Sequence, residues 1–122
     1  MKFADAVVIF LGSGLGGVVR FGVRQLMPQT ATFWSTFAVN VVGCFFIGLV
    51  AEAIPPDHAW KPFITIGVLG GFTTFSTYAA DALQLGNGEG SAAMLAYVLG
   101  TVVFGLMACI LGSRVGMALR VA

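Results

Sequence analysis

Four apolar runs, at residues 6–27, 33–54, 63–83 and 92–112, fill most of this chain and leave only short polar connections between them. A bilayer's hydrocarbon core, about 30 Å thick, takes roughly 20 apolar residues of helix to cross. Each run is therefore predicted to span a membrane as a helix, which satisfies its backbone hydrogen bonds internally where no water can. At 9% charged residues the chain also has too few charges to coat a soluble bundle, since soluble domains carry about 25%. The expected fold class is an all-α membrane protein, with residues 1–122 forming a single four-helix transmembrane domain. The first run exceeds the h-region of a signal peptide, about 7–15 residues, and no clean cleavage site follows it, so it is expected to remain in the mature protein. A net charge of +1 leaves no basic surface for nucleic acid.

The third run does not read as a plain lipid-facing helix. Its centre is Gly67-Val68-Leu69-Gly70-Gly71-Phe72-Thr73-Thr74-Phe75-Ser76-Thr77-Tyr78. Adjacent glycines weaken a helix, so the third helix is expected to break at Gly70-Gly71. Bare backbone at membrane depth is tolerated only inside protein or beside a wet cavity, and broken helices there commonly bind ions. The competing reading makes Gly67 and Gly71 a small-residue packing face, with the hydroxyls bonded back to the preceding turn. Phe72, Phe75 and Tyr78 recur every three residues and so predict an aromatic stripe along one side.

Polar residues in the other runs are few. Arg20, in the last two turns of the first run, is either an interface anchor or a cation facing a wet vestibule. Asn40 lies about 10 Å below the start of the second helix, where its amide needs a partner and acts as interhelical glue or as a ligand. Tyr97 and Thr101 stand one turn apart in the fourth run, and Thr101 can bond to its own backbone. Asp81 falls near an interface, where a carboxylate stays wet, and residues 85–91 read as the last turn. Cys44 and Cys109 read as buried apolar residues, and His58 as a loop residue. Lys2, Lys61, Arg114 and Arg120 fall on one side against Arg20 and Arg24 on the other. That bias is too weak to set one orientation, so insertion both ways and an antiparallel dimer are expected possibilities.

Gly70-Gly71-Phe72-Thr73-Thr74-Phe75-Ser76-Thr77, midway through the third of four runs, resembles the Gly-Gly-x-Thr-Thr-Phe-Ser-Thr signature of the small fluoride channels, the Fluc or CrcB family. Arg20 after a glycine-rich first run, Asn40 and Gly43 as Asn-x-x-Gly, and the pair Tyr97 and Thr101 match in order, so the resemblance covers essentially the whole chain. It implies an antiparallel, dual-topology homodimer in the inner (plasma) membrane, a multi-pass protein surrounded by lipid, with two fluoride pores. It also implies a structural sodium ion at the dimer centre, held by the backbone carbonyls of Gly70 and Thr73. Asn40 would be the pore amide, Phe75 and Tyr78 the ring box, Ser76, Thr77, Tyr97 and Thr101 the hydroxyl track, and Arg20 the vestibule cation. The second box residue is usually phenylalanine, so the hydroxyl of Tyr78 is left either to donate to the anion or to bond elsewhere.

Fluoride is small and strongly hydrated, and a pore must replace its water with donors that still release it. Amide, hydroxyl and aromatic-edge hydrogens do this without a fixed charge. The rival readings are a four-span drug exporter, which would need an early intramembrane carboxylate, and a non-transporting assembly subunit whose hydroxyls serve packing alone. An enzyme is not expected, since neither a nucleophile with its base nor a phosphate loop is visible.

Overall fold

Helix limits follow from the residues flanking each run. In the computed structural model, which describes residues 2–28, 30 and 32–121 and all their side chains but that of Val121, α1 (Phe3–Gln25) begins where Lys2 N–H donates to Asp5 Oδ2 at 2.9 Å. It stops two residues short of Met27 because the residue before a proline is biased out of the helical region. Next comes α2 (Thr32–Ala53), with Lys61 Nζ donating to Ala51 O at 3.1 Å and Ile54 O at 2.7 Å. These bonds satisfy carbonyls that a helix end leaves open and tie the third span to the end of the second.

The third span is in two halves. Its first half, α3 (63–72), consists of a wide π-helical segment, Phe63–Leu69, and one α turn, Gly70–Phe72; its second half is α4 (Phe75–Gly88). The last helix, α5, covers Ser91–Val121. All four spans are long and apolar enough to cross a membrane, and no strand occurs among the described residues. Residues 85–91, expected as a loop, are mostly helical. Glu89 and Gly90 both donate to Leu85 O, at 2.7 and 3.2 Å, and the turn itself is made by Gly90 at φ 97°. Arg114 and Arg120, beyond the fourth apolar run, are likewise part of α5, because Gly112 and Gly116 continue its contact with α2.

Glycine contacts pair the spans as parallel neighbours rather than as consecutive hairpins. A Cβ on Gly16 would collide with Val68 O, and one on Gly71 with Ser13 O, so α1 and α3 meet backbone to backbone. Gly48 meets Cys109 O and Gly112 meets Phe45 O in the same way, joining α2 to α5. Small residues allow this approach, and in lipid it supplies the dispersion contact that hydrophobic burial cannot. Only the first half of the third span lies on α1; α4 crosses to α5 and α2, where Tyr78, Ala82, Leu85 and Tyr97 form the buried cluster. The break is thus the point at which the chain changes partners.

The pairing predicts opposite outcomes for two Gly→Ala substitutions. Gly48→Ala overpacks α2 against α5 and should cost about 1–3 kcal/mol. Gly14→Ala, which meets nothing within 4 Å, should cost nothing; thermal unfolding in detergent distinguishes the two.

Candidate functional site

The third span is interrupted, but at Thr73-Thr74 rather than at Gly70-Gly71. Gly70 stays helical at φ −64°, ψ −36°, whereas Thr73 and Thr74 are extended at ψ 159° and 116°. The physical reason is a division of labour. Gly71 is held helical against α1, while two consecutive β-branched residues accept the extended conformation. Thr74 then caps the new helix, its Oγ1 accepting from Thr77 N–H at 3.2 Å.

Asn40 holds the break open. Its Oδ1 accepts from Thr74 N–H at 2.9 Å and its Nδ2 donates to Thr74 O at 3.1 Å, so one side chain satisfies both backbone groups of an extended residue. In an unbroken helix Thr74 N–H would go to Gly70 O, and Thr77 N–H to Thr73 O. Both donors are diverted, which leaves the carbonyls of Gly70 and Thr73 without their helical partners. Below the break the positive N-terminal end of α4 begins, a natural attractor of anions.

Thr74 stands between two cavities. One, of about 340 Å³, is lined by Arg20, Arg24, Ser35, Thr36, Thr74 and Thr77 among others, so Arg20 faces a cavity and is not only an interface anchor. The other is an open, largely apolar groove of about 540 Å³ that gathers Asn40, Gly70, Thr73, Phe75, Tyr78 and Thr101 with both cysteines. Phe75 projects there almost bare, at 80% exposure, its ring 5.5 Å from that of Tyr78. Phe72 lies on the other side of the break and drops out of the expected stripe, its ring lying near Gly43.

The sequence-predicted donors divide by whether their protons are already committed. Tyr78 Oη donates to Val98 O at 3.1 Å and Thr101 Oγ1 to Tyr97 O at 2.7 Å, so neither hydroxyl proton is spare. The amide of Asn40 keeps one of its two N–H donors. Thr77 Oγ1 accepts from Thr74 Oγ1 at 3.0 Å and retains its own proton; Ser76 Oγ lies 3.3 Å from Thr74 Oγ1. Tyr97 Oη is buried and has no partner among the described residues. The aromatic rings of Tyr78 and Tyr97 are 5.4 Å apart, but Tyr97 lines a separate cavity of about 350 Å³ rather than the groove that gathers Asn40 and Phe75.

Asp81 is more enclosed than expected, though it lines a cavity of about 240 Å³ with Thr32, Gln84 and Glu89. It is 5% exposed, and its buried Oδ2 has no partner among the described residues. The signal for this was present in the spacing, since Tyr78, Asp81, Ala82 and Leu85 follow the i, i+3, i+4, i+7 pattern of a buried face. Thr74 was also passed over, for its role depends on Asn40, 34 residues earlier.

A family model described as CrcB-like protein, Camphor Resistance (CrcB), matches residues 7–113. The chain belongs to the CrcB family. It is 39% identical over 115 residues to Fluoride-specific ion channel FluC 1 of Rhodococcus jostii, covering 94% of this chain and 87% of that one. It is 40% identical over 116 residues to Fluoride-specific ion channel FluC 2 of Nocardia farcinica (90% and 83% covered), and 38% identical over 112 residues to Fluoride-specific ion channel FluC of Phocaeicola vulgatus (87% and 93%). With its four spans, this CrcB protein is a multi-pass membrane protein.

If the Tyr78 hydroxyl only tethers α4 to α5, Tyr78→Phe should lower stability by about 0.6 kcal/mol, the usual size of an interhelical hydrogen bond in a membrane. Thermal unfolding of the two proteins in detergent measures the difference.

Proposed function

We propose that the chain is a channel that conducts fluoride passively out of the cytoplasm, through two pores of an antiparallel homodimer in the plasma membrane. The carrying observation is the break at Thr73-Thr74. It starts a helix in the interior beside the spare N–H of Asn40, in a chain whose relatives are named fluoride-specific ion channels, and the buried hydroxyl of Tyr97 on α5 supports the reading as a further donor. Hydrogen-bond donors without a fixed positive charge bind a hydrated anion closely yet release it. Arg20 lines a cavity at one end of this region and raises the local anion concentration there. An interior-negative potential then supplies about 2.3 kcal/mol per charge per 100 mV for export, so neither ATP nor a counter-ion is required.

The second subunit follows from what one subunit leaves open. The groove beside the break is apolar, bears the bare ring of Phe75, and opens on Gly70 and Thr73. A second copy, inserted the other way up, would cover it and receive the ring edge of Phe75 beside its own polar residues. The carbonyls of Gly70 and Thr73 fit a structural sodium ion, being hard oxygen donors freed of their helical partners and gathered on the surface where the two copies would meet. When bound, sodium supplies a fixed positive charge at the centre of the dimer.

The purified protein in liposomes, with voltage clamped by a potassium ionophore, should release fluoride while chloride is retained, as read by parallel ion electrodes. Replacing Asn40, Phe75 and Tyr97 together should abolish that release. Flux that survives the triple replacement would sink the pore assignment, and retention of both ions by a folded wild-type dimer would sink the channel reading.

A further inference from the structure

We infer that Asn40 and Thr74 are positioning residues for the central cation, acting by withholding two backbone N–H groups from the carbonyls that would hold it. The inference rests on the sodium reading above and adds how this chain creates the site. Two hydrogen bonds carry it: Thr74 N–H to Asn40 Oδ1 at 2.9 Å and Thr77 N–H to Thr74 Oγ1 at 3.2 Å. Each diverted donor is the i+4 partner of one of the two carbonyls, Gly70 O and Thr73 O.

The diversion is held in place on both sides. Thr74 is buried, and its own carbonyl is engaged by Asn40 Nδ2 at 3.1 Å, so the residue cannot swing back into the helix without giving up both amide bonds. Upstream, Thr73 N–H and Thr73 Oγ1 both donate to Leu69 O, at 3.0 and 2.9 Å, which ends α3 on a satisfied carbonyl. The same break takes the i+4 partners of Gly71 O and Phe72 O, but of these four residues Gly70 and Thr73 are the ones that line the groove. Because Asn40 also lines that groove and keeps a spare N–H, one side-chain amide borders both the anion path and the cation site. Removing its oxygen would let Thr74 N–H return to Gly70 O, closing the helix over the cation's ligand.

The test is the sodium dependence of thermal unfolding of the full-length protein in detergent, with sodium chloride exchanged for N-methyl-D-glucamine chloride at constant ionic strength. Wild type should be stabilised by sodium. In Thr74→Val, which keeps the shape but not the hydroxyl, the half-stabilising sodium concentration should rise by about tenfold or more, the cost of losing one charge-assisted carbonyl contact. Thr74→Ser should restore the wild-type midpoint, a rescue that a merely structural threonine would not need. Should Thr74→Val fail to fold, Asn40→Ala should give the same rise. A folded variant with an unchanged midpoint, in a protein whose wild type responds to sodium, overturns the positioning role and leaves the sodium reading intact. A wild type indifferent to sodium overturns both.

Discussion

An extended residue in the middle of a membrane-spanning helix exposes an N–H and a C=O where water cannot reach them, and each costs several kcal/mol if left alone. Asn40 meets that cost at Thr74 with one amide, donating and accepting at the same residue. Most of the architecture depends on this exchange. It lets the third span stop, change direction and change partners while both backbone groups of Thr74 keep hydrogen bonds.

The glycine-lined helix pairs make such a break mechanically possible. α1 holds α3, and α2 is packed on α5, each pair by backbone contacts that no Cβ would permit. The third span therefore has two rigid surfaces to lie on, and its halves need not be collinear. α4 reaches α5 through Tyr78, whose hydroxyl bonds Val98 O and whose ring lies against Tyr97. A phenylalanine here would keep the ring contacts and lose only the tether. The same packing buries Asp81 beneath the face that α4 turns to α5, leaving a carboxylate oxygen without a partner among the described residues.

A single break offers groups of both polarities because the two ends of a helix differ in polarity. Carbonyls at the end of α3 are suited to a cation, while amides at the start of α4 and the spare proton of Asn40 are suited to an anion. The hydroxyl of Tyr97 has no partner among the described residues, whereas those of Tyr78 and Thr101 already serve the backbone. Chemical type alone would count all four as donors. The hydrogen-bond geometry separates them.

Hydropathy and the scarcity of charge determined the membrane class and the four spans, because lipid admits few other solutions for a chain this apolar. The motif from Gly70 to Thr77 likewise determined that the third span would be interrupted and where its chemistry would concentrate. Local sequence placed the break on the glycines, since their helix propensity is low; the tertiary structure moved it to Thr73-Thr74, since Gly71 is held against Ser13 and Thr74 has a partner in Asn40. Which hydroxyls were free, that Arg20 faces a cavity, and that Asp81 is enclosed were decided the same way. Each depends on what a distant span brings alongside, and spacing within one helix carries no record of that.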